Sequence, residues 1–290
     1  MTAAIMDQAE QRWPDMIQQQ PVPTASCGAF GPGLEVRCFG QFHATFGGRC
    51  LEWRREKAKT LLKYLVLQPT PLRQGWLCDS LWEELDADAA ARTLRVTMHS
   101  LRQTLSACHG RGTSPSPPVI LTRRGVYHLN PAIHLWVDTR EFMTLVLSGD
   151  HARRLGRQEE CLSAYQNAVA LYCDDFLCDD DEDWTFIPRE QLKDHYLIAL
   201  RCLLDASMTA NEFMRAIAYA HRILEKEPCC EGAYIALMRS HAALGQTGQA
   251  LRWYELCCQA LENELRCMPT ESTRQLANSI RSRAFRAAHT

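Results

Sequence analysis

The sequence lacks the segments that would place a protein in or across a membrane. No apolar run approaches the roughly 18 residues that a spanning helix needs. The N-terminal region has neither a basic start nor a continuous apolar stretch, so it does not resemble a signal peptide. We therefore expect a cytoplasmic protein, in which the 14 cysteines are reduced thiols rather than a disulfide framework.

Motifs for metal binding and for catalysis are also absent. The sequence contains no CxxC pair, and its adjacent cysteines, Cys229-Cys230 and Cys257-Cys258, do not have the spacing of a zinc site. It contains no GxxxxGK[ST] phosphate loop, no HExxH and no GxSxG. The acidic run from Asp179 to Asp183 lacks the alternating spacing of a calcium loop, so we interpret it as a solvated loop. These absences favour a binding protein over an enzyme, with no metal and no cofactor.

Charge is unevenly distributed along the chain, although the net charge is only −2. Residues 34–131 contain 14 Lys/Arg and 8 Asp/Glu, whereas residues 132–290 contain 17 Lys/Arg and 23 Asp/Glu. A chain of 290 residues has room for about two domains. We therefore predict a basic domain over 34–131 that meets phosphate and an acidic domain over 132–290. The preceding residues 1–33 are predicted to form a disordered arm.

The segment from Asp88 to Ala107 predicts one amphipathic helix with Asp88 as its N-cap. Its apolar stripe, at helical spacing, comprises Leu94, Met98, Leu101 and Leu105. The opposite face carries Arg92, Val96, His99 and Gln103, with Arg95 and Arg102 on its flank. No carboxylate follows Asp88 in this helix, so the exposed face is basic or neutral. Such a face is typical of a DNA-reading element, and an ordinary solvated helix is the alternative.

Short strands and two further helices surround this segment. Alternating apolar residues from Leu34 to Trp53 predict a small antiparallel sheet, and helices are predicted over 57–67 and 74–84. A hairpin over 119–129 carries two arginines at its tip, in the sequence Arg123-Arg124-Gly125. Three helices, the third of them basic, followed by a hairpin indicate a winged helix-turn-helix.

The second half of the sequence shows a helical repeat. Three positions are predicted to be equivalent, and the last two lie one tetratricopeptide period apart: Cys161, Ala216 and Ala250. Five residues before each stands a residue type that tolerates a left-handed turn between paired helices: Gly156, Asn211 and Gly245. We therefore predict a mainly α protein, with small antiparallel sheets in the winged helix and a tetratricopeptide-like all-α domain after it.

Both halves resemble a known family. In the first half the resemblance lies in Phe39-Gly40, Gly48, Leu61-Leu62, Tyr64-Leu65, Leu81-Trp82, Leu94-Arg95-Val96 and Leu101-Arg102. In the second half it lies in Val137-Asp138, Tyr172, Phe176-Leu177, Trp184, Arg189, Leu237-Met238, Ala250-Leu251, Tyr254 and Pro269. Together these residues resemble the Streptomyces antibiotic regulatory proteins, in which an OmpR-type winged helix precedes a bacterial transcriptional activator domain. The resemblance implies a sequence-specific transcriptional activator that binds promoter direct repeats as a head-to-tail homodimer and contacts RNA polymerase.

Candidate DNA-binding residues follow from the docking of a recognition helix, whose N-terminal half reaches base edges in the major groove. We expect four side chains there: Arg92, Arg95, Thr97 and His99. Arg92 and Arg95 are the best candidates because arginine matches guanine bidentately. Contacts to phosphate are expected from Thr93, Arg102 and Arg73, and contacts in the neighbouring minor groove from Arg123 and Arg124. The alternative for each arginine is an internal salt bridge, and for Arg95 the partner would be Glu83 or Glu84. The alternative for His99 is packing against the wing.

A second function is compatible with the same sequence. The helical repeats would bind a peptide or a small ligand, and the basic domain would serve only as an assembly surface. The two functions differ in one measurable property. Only the DNA-binding function predicts an affinity for DNA that falls steeply as the salt concentration rises.

Overall fold

The computed structural model describes residues 33–68, 70–108 and 117–287, with side chains through residue 282. The arm predicted over residues 1–33 lies outside this description except for Gly33. The described residues form two compact units, one of those up to Glu141 with Phe176–Trp184 and the other of Phe142–Asp175 with those from Thr185 onward. The first unit thus includes residues 132–141 and 176–184, which the sequence assigned to the second domain. None of the described helices is long and apolar enough to cross a membrane.

The first unit combines short strands with helices. Its strands are β1 (Leu34–Arg37), β2 (His43–Phe46), β3 (Arg49–Cys50), β4 (Leu72–Arg73), β5 (Ile120–Arg123), β6 (Val126–Leu129) and β7 (Leu135–Val137). Its helices are α1 (Glu56–Leu67), α2 (Gln74–Leu81) and α3 (Ala87–Ala107). The helices predicted over 57–67 and 74–84 are confirmed, although α2 ends at Leu81 rather than at Glu84.

Two small sheets accompany these helices. The first has the strand order β3-β2-β1-β7, in which β7 runs parallel to β1 and the other pairs are antiparallel. The second has the antiparallel order β4-β6-β5. The antiparallel strands β1 and β2 and the β5–β6 hairpin were predicted, whereas the third strand, expected at Leu51 to Trp53, lies earlier, at Arg49–Cys50. Strands β4 and β7 were not predicted, because strands of two or three residues carry too little alternation to recognise.

The carboxylate of Asp138 fixes the chain after β7 to the end of β1. It accepts hydrogen bonds from the backbone N–H groups of Cys38, at 2.8 and 2.9 Å to its two oxygens, and of Phe39, at 2.9 Å. The N–H of Thr139 donates to it at 2.7 Å. Because these groups are buried, loss of the carboxylate would leave backbone donors unsatisfied. Residues beyond 131 are therefore part of the structure of the first unit.

Residues Phe176–Trp184 also belong to the first unit. Phe176 forms an antiparallel β-bridge with Phe39, and the N–H of Leu177 donates to the carbonyl of Cys38 at 2.8 Å. Phe176 and Leu177 are both fully buried. The segment is thus held by backbone pairing and by burial of apolar side chains.

The acidic run within this segment was predicted to be a solvated loop, and that prediction holds for the exposed Asp179, Asp181 and Asp183 but is wrong for Asp180 and Glu182. Asp180 is only 8% exposed and forms an ion pair of 2.7 Å with Lys63 of α1, which is 4% exposed. Glu182 accepts hydrogen bonds from the hydroxyl of Tyr64 at 2.9 Å and from Nε1 of Trp184 at 2.6 Å. A charge can be buried in this way only when it has a partner. The partner here lies more than a hundred residues away, so no local pattern reveals it.

The second unit is built from antiparallel helical hairpins. The helices of this part of the chain are α4 (Asp138–Arg154, whose first turn lies in the first unit), α5 (Gln158–Leu171), α6 (Phe186–Thr209), α7 (Phe213–Lys226), α8 (Glu231–Ala243), α9 (Thr247–Leu265) and α10 (Glu271–Ala287). The residues predicted at left-handed turns have φ angles of 71°, 58° and 76°, for Gly156, Asn211 and Gly245. The three positions predicted to be equivalent are buried: Cys161, Ala216 and Ala250. The repeat prediction is therefore confirmed.

Candidate nucleic-acid interface

Helix α3 begins slightly earlier than the sequence predicted. The carboxylate of Asp86 accepts a hydrogen bond of 2.8 Å from the N–H of Ala89, so Asp86 and not Asp88 is the N-cap. Asp88 lies in the first turn instead, where a negative charge is favourable beside the positive end of the helix dipole. The shift leaves the register of the rest of the helix unchanged.

The two faces of α3 are those predicted. The apolar stripe is buried, with Leu94 and Leu101 at 0% exposure and Met98 and Leu105 at 2%. It packs against α1 and α2. The residues expected on the opposite face are all exposed: Arg92, Val96, His99 and Gln103. Burial of the stripe therefore orients a basic, carboxylate-free face toward solvent.

Two threonines predicted to meet DNA are engaged within the protein. Thr97 is only 2% exposed, because it follows Leu94 by three residues and so flanks the buried stripe. Its predicted place at the base edges is therefore wrong. Thr93 is half-buried, and its hydroxyl donates to the carbonyl of Ala89 at 2.9 Å. A contact with phosphate, which only accepts hydrogen bonds, would require Thr93 to give up that bond.

The arginines of α3 have no carboxylate partner among the residues that the structure describes. Within that part of the chain Arg92, Arg95 and Arg102 form no ion pair. Nε of Arg95 donates instead to the carbonyl of Ala91 at 3.2 Å. The salt bridge expected between Arg95 and Glu83 or Glu84 is therefore not formed, and Arg92 and Arg102 have no such partner in the described part of the chain.

Exposed arginines of the second unit behave differently. Several pair with a carboxylate on their own helix or in the adjoining turn: Arg153 with Asp150, Arg157 with Glu160, Arg215 with Glu212 and Arg274 with Glu271. What distinguishes α3 is that Arg92, Arg95 and Arg102 lie on one exposed helix face that carries no carboxylate. Cations of this kind are available for phosphate or for base edges.

The hairpin between β5 and β6 ends in a two-residue turn. Arg123 pairs with Val126, which leaves Arg124 and Gly125 at the tip, with φ angles of 51° and 74°. Two left-handed residues are the signature of a type I′ turn, in which Gly at the second position is favoured. The carbonyl of Gly125 accepts a hydrogen bond of 2.8 Å from the N–H of Gln74, which fixes the tip to the start of α2. Both arginines are exposed.

Arg73 lies on the same face of the three-stranded sheet as Arg123. Both residues are directly opposite Val126, one from β4 and one from β5. Residues opposite each other across antiparallel strands project to the same face, and neighbouring strands are about 4.8 Å apart. The Cα atoms of the two arginines are therefore about 10 Å apart. Arg73 and Arg123 form one basic surface, which the sequence did not reveal.

A side-chain hydrogen bond connects α3 to this sheet. Nη2 of Arg102 donates to Oγ1 of Thr122 on β5, at 2.7 Å. A guanidinium has five N–H donors, so this bond leaves others available for phosphate. Thr122 was not among the predicted site residues, because a threonine in a strand gives no signal of its partner on a helix.

These features define a winged helix-turn-helix with a basic third helix, joined to a unit of tetratricopeptide-like hairpins. The chain belongs to the bacterial transcriptional activator domain family, which matches residues 137–281. This match confirms the resemblance drawn from the sequence. A comparison with curated proteins gave no match.

A solved structure supports the fold. The structure of Mycobacterium tuberculosis EmbR in complex with a low-affinity phosphopeptide matches with a TM-score of 0.64 and 20% identity, over 87% of this chain. The match spans 66% of the EmbR chain, so EmbR has further sequence with no counterpart here. The C-terminal TPR-containing domain of a putative FK506-binding protein from Plasmodium falciparum matches with a TM-score of 0.40 and 12% identity, over 53% of this chain and 94% of that domain.

Proposed function

We propose that this chain is a cytoplasmic transcriptional activator that binds promoter DNA sequence-specifically, acting by binding rather than by catalysis. One observation carries the proposal. Arg92, Arg95 and Arg102 share an exposed, carboxylate-free face of α3 and have no carboxylate partner in the described part of the chain. Membership of a transcriptional activator family supports the same function.

The proposed complex places α3 in the major groove, which admits one helix. Arg92 and Arg95 read base edges, and guanine is the base that arginine recognises through two hydrogen bonds. His99 follows one turn later on the same face. Arg102 contacts the DNA backbone while it remains bonded to Thr122.

The hairpin forms the wing of this complex. Arg123 and Arg124 enter the neighbouring minor groove, and Arg73 contacts phosphate beside them. The paired face of Arg73 and Arg123 supports this arrangement, because it places two cations on one face of the sheet with Cα atoms about 10 Å apart.

Two molecules are needed to select a promoter in a genome, because one winged helix covers only a few base pairs. We propose a head-to-tail homodimer on direct repeats, as the family resemblance implies. The second unit, residues 142–175 and 185–290, carries 16 Asp/Glu and 16 Lys/Arg, so it has no net positive charge to attract phosphate, and we propose that it meets RNA polymerase.

Selection from a random pool of duplex DNA by the full chain tests the proposal. We expect enrichment of a recurring sequence, and an affinity for it that falls with salt at a slope of about −0.9 per phosphate neutralised. A protein whose basic unit is only an assembly surface would enrich no sequence. That result would overturn the proposal and favour a helical-repeat interaction module.

A further inference from the structure

Val96 is an apolar residue in the middle of the exposed face of α3. It is 50% exposed, although the other large apolar residues of this helix, Leu94, Met98, Leu101 and Leu105, are at most 2% exposed. Arg92 precedes it by one turn and His99 follows it by one turn on the same face, and both are exposed. An apolar side chain therefore lies at the centre of the surface that is proposed to enter the major groove.

Neither helix propensity nor full burial favours valine at this position. A β-branched residue lowers helix propensity by a few tenths of a kcal/mol relative to alanine or arginine. Val96 is 50% exposed, so it packs within the protein far less than the stripe residues do. A polar residue would serve an ordinary solvated helix better.

The length of the side chain matters for approach to DNA. Valine is short, whereas Arg92 and Arg95 beside it are long and can extend outward around it. A short residue at the centre of the face allows the helix backbone to come close to the floor of the groove. The side chain that then lies nearest the base edges carries two methyl groups and no hydrogen-bonding atom.

We propose that Val96 contacts the 5-methyl group of a thymine and so makes binding depend on a T·A pair at one position of each half-site. This inference rests on the proposed function. Base edges in the major groove present donors, acceptors and a single apolar group, the methyl of thymine. Uracil pairs with adenine in the same way but lacks that methyl, so exchange of thymine for uracil isolates the contact.

The test uses the full chain and the duplex recovered by selection from the random pool. Each thymine is replaced by uracil in turn, and Kd is measured at fixed salt for the wild type and for Val96→Ala. The control is Leu155→Ala, since Leu155 is 52% exposed but lies in a turn of the second unit. Thermal unfolding of both variants confirms that they are folded.

We expect one thymine in each half-site at which uracil weakens binding by the wild type about fourfold, the effect of one buried methylene-sized group. Val96→Ala should weaken binding to the thymine duplex to a similar extent and should be insensitive to uracil at that position. Leu155→Ala should show the wild-type pattern.

Two outcomes would overturn the inference, and they are distinguishable. If the wild type and Val96→Ala respond alike to uracil at every position of a specifically bound duplex, then Val96 contacts no thymine, while the proposed function stands. If selection enriches no sequence at all, the inference and the proposed function fail together.

Discussion

The guanidinium of Arg102 and the hydroxyl of Thr122 are joined by a hydrogen bond of 2.7 Å that connects the basic helix to the wing. A second link, from the N–H of Gln74 to the carbonyl of Gly125 at 2.8 Å, fixes the wing tip to α2. The helix and the wing are therefore set at a defined separation before any DNA is bound. Such preorganisation lowers the ordering cost of binding.

This relationship leads to a first prediction. Thr122→Val removes the hydrogen-bond acceptor with little change of shape, so Arg102 must be ordered when DNA binds. We expect the variant to bind the selected duplex more weakly by about 0.5–1.5 kcal/mol, measured by fluorescence anisotropy. Thr122→Ser, which keeps the hydroxyl, should bind like the wild type. Equal affinity of the Val and Ser variants would show that the bond does not assist binding.

The arginines at the base edges should be more sensitive. We expect Arg92→Ala and Arg95→Ala each to weaken specific binding by about 1–3 kcal/mol while the fold survives. Arg252→Ala is the matched control, because Arg252 is an exposed arginine of α9 with no ion pair in the described part of the chain. If both α3 variants shift the duplex in an electrophoretic assay at the same protein concentration as the wild type, this helix does not read DNA.

The wing should contribute charge rather than sequence preference. Replacement of Arg123 and Arg124 together by alanine should flatten the slope of log affinity against log salt by roughly one to two. The double variant Arg123→Lys, Arg124→Lys keeps both charges and should retain the slope. Salt titration of the three proteins on the same duplex measures the difference, and an unchanged slope in the Ala-Ala variant would place the wing away from DNA.

The buried ion pair should matter for stability. Asp180→Ala leaves the ammonium of Lys63 buried without a counter-ion, so we expect the free energy of unfolding to fall by about 3–5 kcal/mol in urea. Asp181 is the matched control, since it is the next residue but is exposed. A combined Lys63→Met and Asp180→Leu variant should recover most of the loss. If Asp180→Ala is as stable as Asp181→Ala, the pair does not hold this segment in place.

The spacing of the half-sites tests the proposed head-to-tail dimer. Direct repeats place the same protein face toward each half-site, with centres about one helical turn, or 10–11 base pairs, apart. Insertion of five base pairs should abolish cooperative binding in a footprinting titration, and insertion of ten should partly restore it. Equal occupancy at both spacings would mean that the two molecules do not touch on DNA.

Elements with a strong local period could be predicted from the sequence. Helix α3 could be predicted from the apolar stripe that includes Leu94 and Leu101. Burial of one helix face imposes a spacing that is visible in the sequence even when the elements that cover that face are unknown. The turns between paired helices could be predicted from Gly156 and Gly245, because a left-handed backbone conformation strongly favours glycine. The exposed position of the basic face followed from the same period.

Features that depend on a distant partner could not be predicted. Asp180 lies in a run that resembles a solvated loop, and only the proximity of Lys63 makes its burial favourable. Thr97 is polar, and its burial follows from an angular position at the edge of the stripe rather than from its type. The joint face of Arg73 and Arg123 required the pairing register of three strands, which the sequence does not contain.

Because residues 176–184 belong to the first unit, they also affect the order in which the two units fold during synthesis. When the ribosome has added residue 131, Lys63 and α1 have already been made, but Asp180 has not. At 5–20 residues per second the chain needs roughly 3–10 s to reach residue 184. During that interval the nascent winged helix has a lysine at a buried position with no counter-ion. The DNA-reading unit therefore completes its fold only after α4 and α5 have been synthesised, although it is encoded before them.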